Sequence, residues 1–267
     1  MDFTLCPEEK KLPYARFMDL KIDRLPEEVL TRISAPPLSR EQVLPIGEIS
    51  RFYRHGPEEK QFGFCLMEDG SGYLAHYLHI PDLTMEDLGW WFSWHIRRPE
   101  SVPPEAGNLR YKIWCPPDHW DHRYVNGTDD GDGSIMVESL DMGAGGPVFR
   151  SLTRSVPLTM TGLSGQELSG FARRHTILQL THEHSEDAAD RIFTAMMQPH
   201  PESGVILMSR VWWGYRYQDG QFLRDDAPGK RPCTEQILRN NLLHSSYEFN
   251  HLRKLLPLLR AELDRET

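Results

Sequence analysis

The chain has 267 residues, 39% hydrophobic and 26% charged, a composition that supports one globular core with an appended segment. No apolar run approaches the length of a membrane-spanning helix, and Glu8, Glu9, Lys10 and Lys11 stand where a secretory signal would need an apolar stretch. Thirty Lys and Arg against 39 Asp and Glu leave a charge of −9, which argues against nucleic-acid backbones and anionic membranes as partners.

In chain order, prolines at 7, 13, 26, 36, 37 and 45 break the first stretch. Residues 1–58 are therefore predicted as an irregular arm with one or two short helices, such as Glu27 to Ile33, and 59–267 as the main domain. Phe62, Phe64 and Leu66 alternate before Glu68-Asp69-Gly70-Ser71-Gly72, and apolar and aromatic residues resume from Tyr73 to His79. That is a hairpin pattern. Thr84, with Glu86 and Asp87 behind it, predicts a helix start, and Leu88, Trp91, Phe92 and His95 fall on one buried face. Segments 109–115, 134–141, 147–154, 175–183 and 204–218 read as strands.

From Thr234 to about Arg265 runs the strongest helix, with Thr234 as its cap and Pro257 able to kink it. Strands followed by one long helix predict an α+β fold, a curved antiparallel sheet wrapped around that helix with a cavity between them. The four cysteines (Cys6, Cys65, Cys115 and Cys233) form no CxxC pair and read as reduced thiols of a cytoplasmic protein. Twelve His, seven Trp and nine Tyr suggest a lined pocket or a metal site, although ordinary cores also use them.

Three groups could carry chemistry. On the last helix Asn241, His244, Glu248 and His251 form a polar row beside the leucines. His244 and Glu248 lie one turn apart, so they can bind one ion or form a weak ion pair at a wet helix edge. Tyr111, Trp114, His119, Asp121 and His122 cluster around Pro116-Pro117, which should place both histidines on a loop past a strand end. That loop is either a ligand-holding one or a plain surface loop. Glu138 shares a strand face with Met136 and Leu140, where a buried carboxylate needs a cation or an arginine.

Other groups are weaker. Asp129, Asp130 and Asp132 resemble a calcium loop, but placing Gly131 sixth puts Val137 at the twelfth position, so the register fails and an acidic hairpin turn is favoured. His182 and His184 could pair on a strand face, though a solvated strand end is the simpler reading. No nucleophile elbow, phosphate loop or dinucleotide fingerprint is present.

Together, Trp90-Trp-Phe-Ser-Trp-His95, Arg110-Tyr-Lys-Ile-Trp114 with His119 downstream, Glu138, and His244-Ser-Ser-Tyr-Glu248 resemble the 2,4-diacetylphloroglucinol hydrolase and phloretin hydrolase family over roughly residues 60 to 255. The resemblance implies a Bet v 1-like helix-grip fold and a zinc-dependent hydrolase that cleaves a C–C bond between an acyl group and a phenolic ring. It implies one zinc ion on His119, Glu138, His244 and Glu248. It further implies substrate contacts from Tyr111 and Tyr215, an active-site histidine at His200, and a small phenolic ketone as partner. His122 stands where the family has asparagine, so it is expected to touch the phenol and alter the ring pattern accepted.

A donor set of two histidines and two carboxylates does not exclude Mn or Fe(II). Rival readings are a non-heme iron oxygenase on a phenolic substrate and a non-enzymatic helix-grip carrier of an apolar aromatic ligand. A homodimer is left open.

Overall fold

The computed structural model describes residues 4–128 and 131–264. Asp129 and Asp130 of the acidic turn lie outside the described residues. The helices are α1 Glu27–Ser34, α2 Ser50–His55, α3 Met85–Trp94, α4 Leu109–Lys112, α5 Gly165–Arg173 and α6 Glu235–Leu263. The strands are β1 Gly63–Leu66, β2 Gly72–Ile80, β3 His119–Tyr124, β4 Ser134–Glu138, β5 Phe149–Ser155, β6 Ile177–His184, β7 Arg191–Pro199, β8 Val205–Trp213, β9 Tyr215–Gln218 and β10 Gln221–Arg224.

Eight strands form one sheet in the order β1-β2-β8-β7-β6-β5-β4-β3, antiparallel at every pairing. The architecture is α+β, with α6 laid against the sheet, its residues Leu238, Leu242, Leu252, Leu256 and Leu259 fully buried. Thr234 Oγ1 accepts from the Ile237 amide to cap α6, and Pro257 stays inside the helix without ending it. Thr84 and Asp87 form the expected capping box on α3. Among the described residues no helix is long and apolar enough to cross a membrane.

Several expectations are corrected. Segment 109–115 is not a strand: Asn108 accepts from the Arg110 amide and starts the single turn of α4. Leu109, Tyr111, Lys112 and Ile113 are all buried, so the apparent alternation carried no exposed face. The run 204–218 is divided at Gly214, whose φ of 79° turns the chain out of the large sheet into the β9–β10 ribbon. The central strand β7 escaped periodicity because both its faces are apolar. Ile192 and Met196 enter one core cluster, and Ala195 and Met197 the other.

The first 58 residues supply Tyr14 and Phe17, Phe52 and Tyr53, and Leu25 and Ile33 to three separate core clusters. Glu9 and Lys112 form an ion pair at 2.8 Å with side-chain exposures of 0% and 1%. Both charges are out of water, so removing one leaves the other uncompensated. Lys112→Met is expected to cost about 3–5 kcal/mol in denaturant titration, and the double change Glu9→Leu with Lys112→Met much less. Equal losses in the two proteins would show that the pairing is not what the arm contributes.

Candidate metal centre and cavity

His119 and His122 are three residues apart, and simple strand alternation would point them to opposite faces. They are not on a loop, as expected, but on β3. A β-bulge at Trp120 resolves the parity: His119 pairs with Glu138 and His122 with Met136, two residues of β4 that share a face. Glu138 and Met136 both line the cavity, as the alternation indicated.

From the opposite side α6 brings His244 and Glu248. His119 Nε2 lies 3.3 Å from His244 Nε2, 3.5 Å from Glu248 Oε2 and 3.9 Å from Glu138 Oε2. His244 Nε2 lies 4.0 Å from Glu138 Oε2 and 3.8 Å from Glu248 Oε2. Ligand atoms about 2.0–2.2 Å from a tetrahedral zinc ion are themselves separated by about 3.3–3.6 Å. The donor spacings match that within a few tenths of an ångström.

The far nitrogens explain the orientation. His119 Nδ1 donates to the Tyr111 carbonyl at 3.2 Å, and His244 Nδ1 donates to Asp118 Oδ2 at 2.7 Å. With the Nδ1 hydrogens committed there, the two Nε2 atoms face each other across 3.3 Å, a gap that a proton held on His244 bridges and that a metal ion can occupy in its place. Burial opposes charge on His244, yet Asp118, Cys115 and Glu248 together hold it well above the ordinary imidazole range. Burial pushes Glu248 up to about 8, with Glu138 and Asp118 adding to the rise against the pull of His244. The centre asks for positive charge, and its two histidines and two carboxylates suit a divalent ion.

Tyr111 lies flat on His119, with ring centroids 3.8 Å apart, and its hydroxyl donates to Glu138 Oε2 at 2.5 Å. Arg191 Nη2 sits 3.6 Å from Glu138 Oε1 and 2.5 Å from Glu183 Oε2. Glu138 therefore has the arginine partner that its burial required as well as its place beside the histidines. Beyond the centre opens a cavity of about 160 Å³ walled by Phe92, Trp114, Phe193 and Phe249. That is close to the size of engineered cavities that take up a benzene ring.

Two expected site residues are elsewhere. His200 opens the turn after β7, stacks on exposed His79 at 4.0 Å and accepts from the amides of Glu202 and Ser203; it does not line the cavity. Tyr215 follows the Gly214 turn and sits against Arg224, outside the cavity lining. His251, one turn beyond Glu248, is buried, and burial lowers its pKa to about 4.

Sequence reasoning missed Asp118, Cys115, Arg191 and Glu183. Cys115 groups with His119 and His244 as potential metal-holding residues, a thiol that burial pushes up to about 11. Its spacing of four from His119 was the one signal in the chain. His182 and His184 do meet, around Asp190 Oδ2 at 2.8 and 3.0 Å, but Asp190 is also held by Lys230.

Asp118→Asn keeps the shape but removes the charge that fixes His244. Metal affinity, read by competition with a chelator, is expected to fall about 10–100-fold. An unchanged affinity would mean that Asp118 serves only the fold.

The family described as the DAPG hydrolase PhiG domain matches residues 44–152 and 160–260. A phloretin hydrolase from Eubacterium ramulus is 27% identical over 265 residues, covering 96% of this chain and 92% of its own. A 2,4-diacetylphloroglucinol hydrolase from Pseudomonas sp is 23% identical, covering 94% and 88%, and one from Pseudomonas protegens is 23% identical, covering 94% and 84%. With the matched segments spanning most of the sheet, the cavity and α6, this chain belongs to the DAPG hydrolase family.

Proposed function

We propose that the protein is a zinc-dependent hydrolase that cleaves the C–C bond between an acyl group and a phloroglucinol-type ring. The observation that carries this reading is the meeting of four donor atoms at one wall of an aromatic-lined cavity. Its ligands are His119, Glu138, His244 and Glu248, and its substrate is a small phenolic ketone of the kind that the relatives' names describe. We read the sheet and α6 as a Bet v 1-like helix-grip arrangement around that ketone.

The reaction adds water across one bond: the acyl carbon gains hydroxyl and leaves as a carboxylic acid, while the ring carbon gains a proton. A zinc ion bound here would supply Lewis acidity, polarising the carbonyl and making water more acidic, tempered by two carboxylate ligands. The protein's own groups hold the ring. Phe92, Phe193 and Phe249 pack its faces, and His122 binds a ring hydroxyl. Keeping that hydroxyl in place keeps the ring electron-rich, which favours its departure as a neutral phenol rather than an aryl anion. Tyr111 steadies both His119, by stacking, and Glu138, by its hydroxyl.

Elemental analysis should find one zinc ion per chain, and Glu248→Ala should abolish both zinc retention and cleavage of phloretin or diacetylphloroglucinol, with the fold kept. His251→Leu, further along α6, should leave the zinc content unchanged. Stoichiometric zinc with near-normal turnover in Glu248→Ala would remove Glu248 from the ligand set, and turnover that needs oxygen would favour the oxygenase reading instead.

His122→Asn restores the residue found in the family. It is expected to change the relative rates on a panel of acylphloroglucinols and phloretin-like ketones by more than about ten-fold while metal content stays constant. Identical relative rates in the two proteins would mean that this position does not read the ring.

A further inference from the structure

Two imidazoles on the cavity wall are wired in a single direction. His95 Nδ1 lies 2.9 Å from the Trp91 carbonyl oxygen, which can only accept, so Nδ1 carries a hydrogen. Burial lowers the His95 pKa to about 4, so the ring is neutral and its Nε2 is bare. That bare nitrogen lies 3.2 Å from His122 Nδ1, which must therefore donate. Burial also holds His122 well below the ordinary imidazole range, so it too is neutral. Its remaining lone pair is on Nε2, where the Ser134 hydroxyl approaches at 3.1 Å.

The pair is locked from behind. Asn108 Nδ2 donates to the backbone carbonyls of both His95, at 2.8 Å, and His122, at 2.6 Å, tying the end of α3 to β3. The Trp91 ring stacks on His95 at 5.2 Å. Both histidines line the cavity.

We propose that His95 is a positioning residue that fixes His122 in its Nδ1–H form, so that His122 meets a ligand only as a hydrogen-bond acceptor. The ligand group it takes is then a neutral ring hydroxyl, which donates to Nε2 in place of Ser134. A phenolate, an ether oxygen or a carbonyl oxygen is refused, since each would bring a lone pair to a lone pair. Asparagine at this place could offer its amide either way round and would not discriminate in this manner. An imidazole free in water favours the opposite tautomer, so the Nδ1–H form is a direct signature of the wiring. The choice of ligand rests on the proposed function; the tautomer does not.

The test is the two-bond proton–nitrogen spectrum of the zinc-loaded protein with nitrogen-labelled histidine, His122 and His95 being assigned from His122→Asn and His95→Phe. Wild-type His122 is expected as a neutral ring with a protonated Nδ1 and a bare Nε2, and His95→Phe to lose that pattern. His95→Gln, which keeps an acceptor near the site, is expected to restore it. A wild-type His122 protonated on Nε2, or a pattern unchanged in His95→Phe, overturns the proposal. Should His95→Phe not fold, the wild-type spectrum decides alone.

Titration with acetylphloroglucinol and its O-methyl ethers supplies the ligand arm. Methylating the contacted hydroxyl should weaken binding about ten-fold in the wild type and by much less in His95→Phe. Equal losses in both would overturn the selective role. The spectrum needs no turnover, so a protein with the Nδ1–H pattern that cleaves no acylphenol would refute the hydrolase reading and leave the role of His95 intact.

Discussion

The carboxylate of Asp118 is the constraint on which the rest of the centre depends. It is fully buried and survives there as an anion because donors surround it: Ser139 Oγ at 2.8 Å, the Met142 and Gly143 amides at 3.0 and 3.1 Å, and His244 Nδ1 at 2.7 Å. Although desolvation acts the other way, these donors keep its pKa below the usual carboxylate value. One side chain thus ties the turn before β3, the turn after β4 and the middle of α6 to a common point. Met142 adopts a φ of 55° to aim its amide there, a local strain that the buried anion offsets.

From that point the polarity of the neighbouring groups follows by elimination. Asp118 takes the Nδ1 hydrogen of His244, the Tyr111 carbonyl takes that of His119, and both Nε2 atoms turn inward. Glu138 and Glu248 complete a ring of four groups that in a low-dielectric interior must share positive charge, as protons on His244 and Glu248 or as a metal ion in their place. The same logic runs outward through Trp91, His95 and His122, where a carbonyl again sets the direction of every bond after it. Hydrogen-bond direction, more than distance, decides which chemistry each ring can offer the cavity.

The arm shapes the site indirectly. Its Glu9 neutralises Lys112, which sits next to Tyr111 on α4 and over the Trp120 ring at the β-bulge. Without that pairing, the short helix that presents Tyr111 would carry an uncompensated buried ammonium. The first residues of the chain therefore belong to the support of the cavity, and they share its cores rather than forming an appendage.

By itself the sequence determined the local geometry: the Thr234-capped helix with His244 and Glu248 one turn apart, the hairpin around Gly70, and Glu138 on the same strand face as Met136. Those follow from the fixed periods of helix and strand, which need only neighbours in the chain. The family resemblance linked four residues that periodicity could not. Only the tertiary structure decided that a bulge at Trp120 turns His119 and His122 to one face, and that Asp118, Cys115 and Arg191 surround the centre. It alone removed His200 and Tyr215 from the cavity. The reason is that these placements depend on strand register, on one glycine turn and on contacts between segments more than a hundred residues apart, such as His244 with Asp118, and no local pattern encodes them.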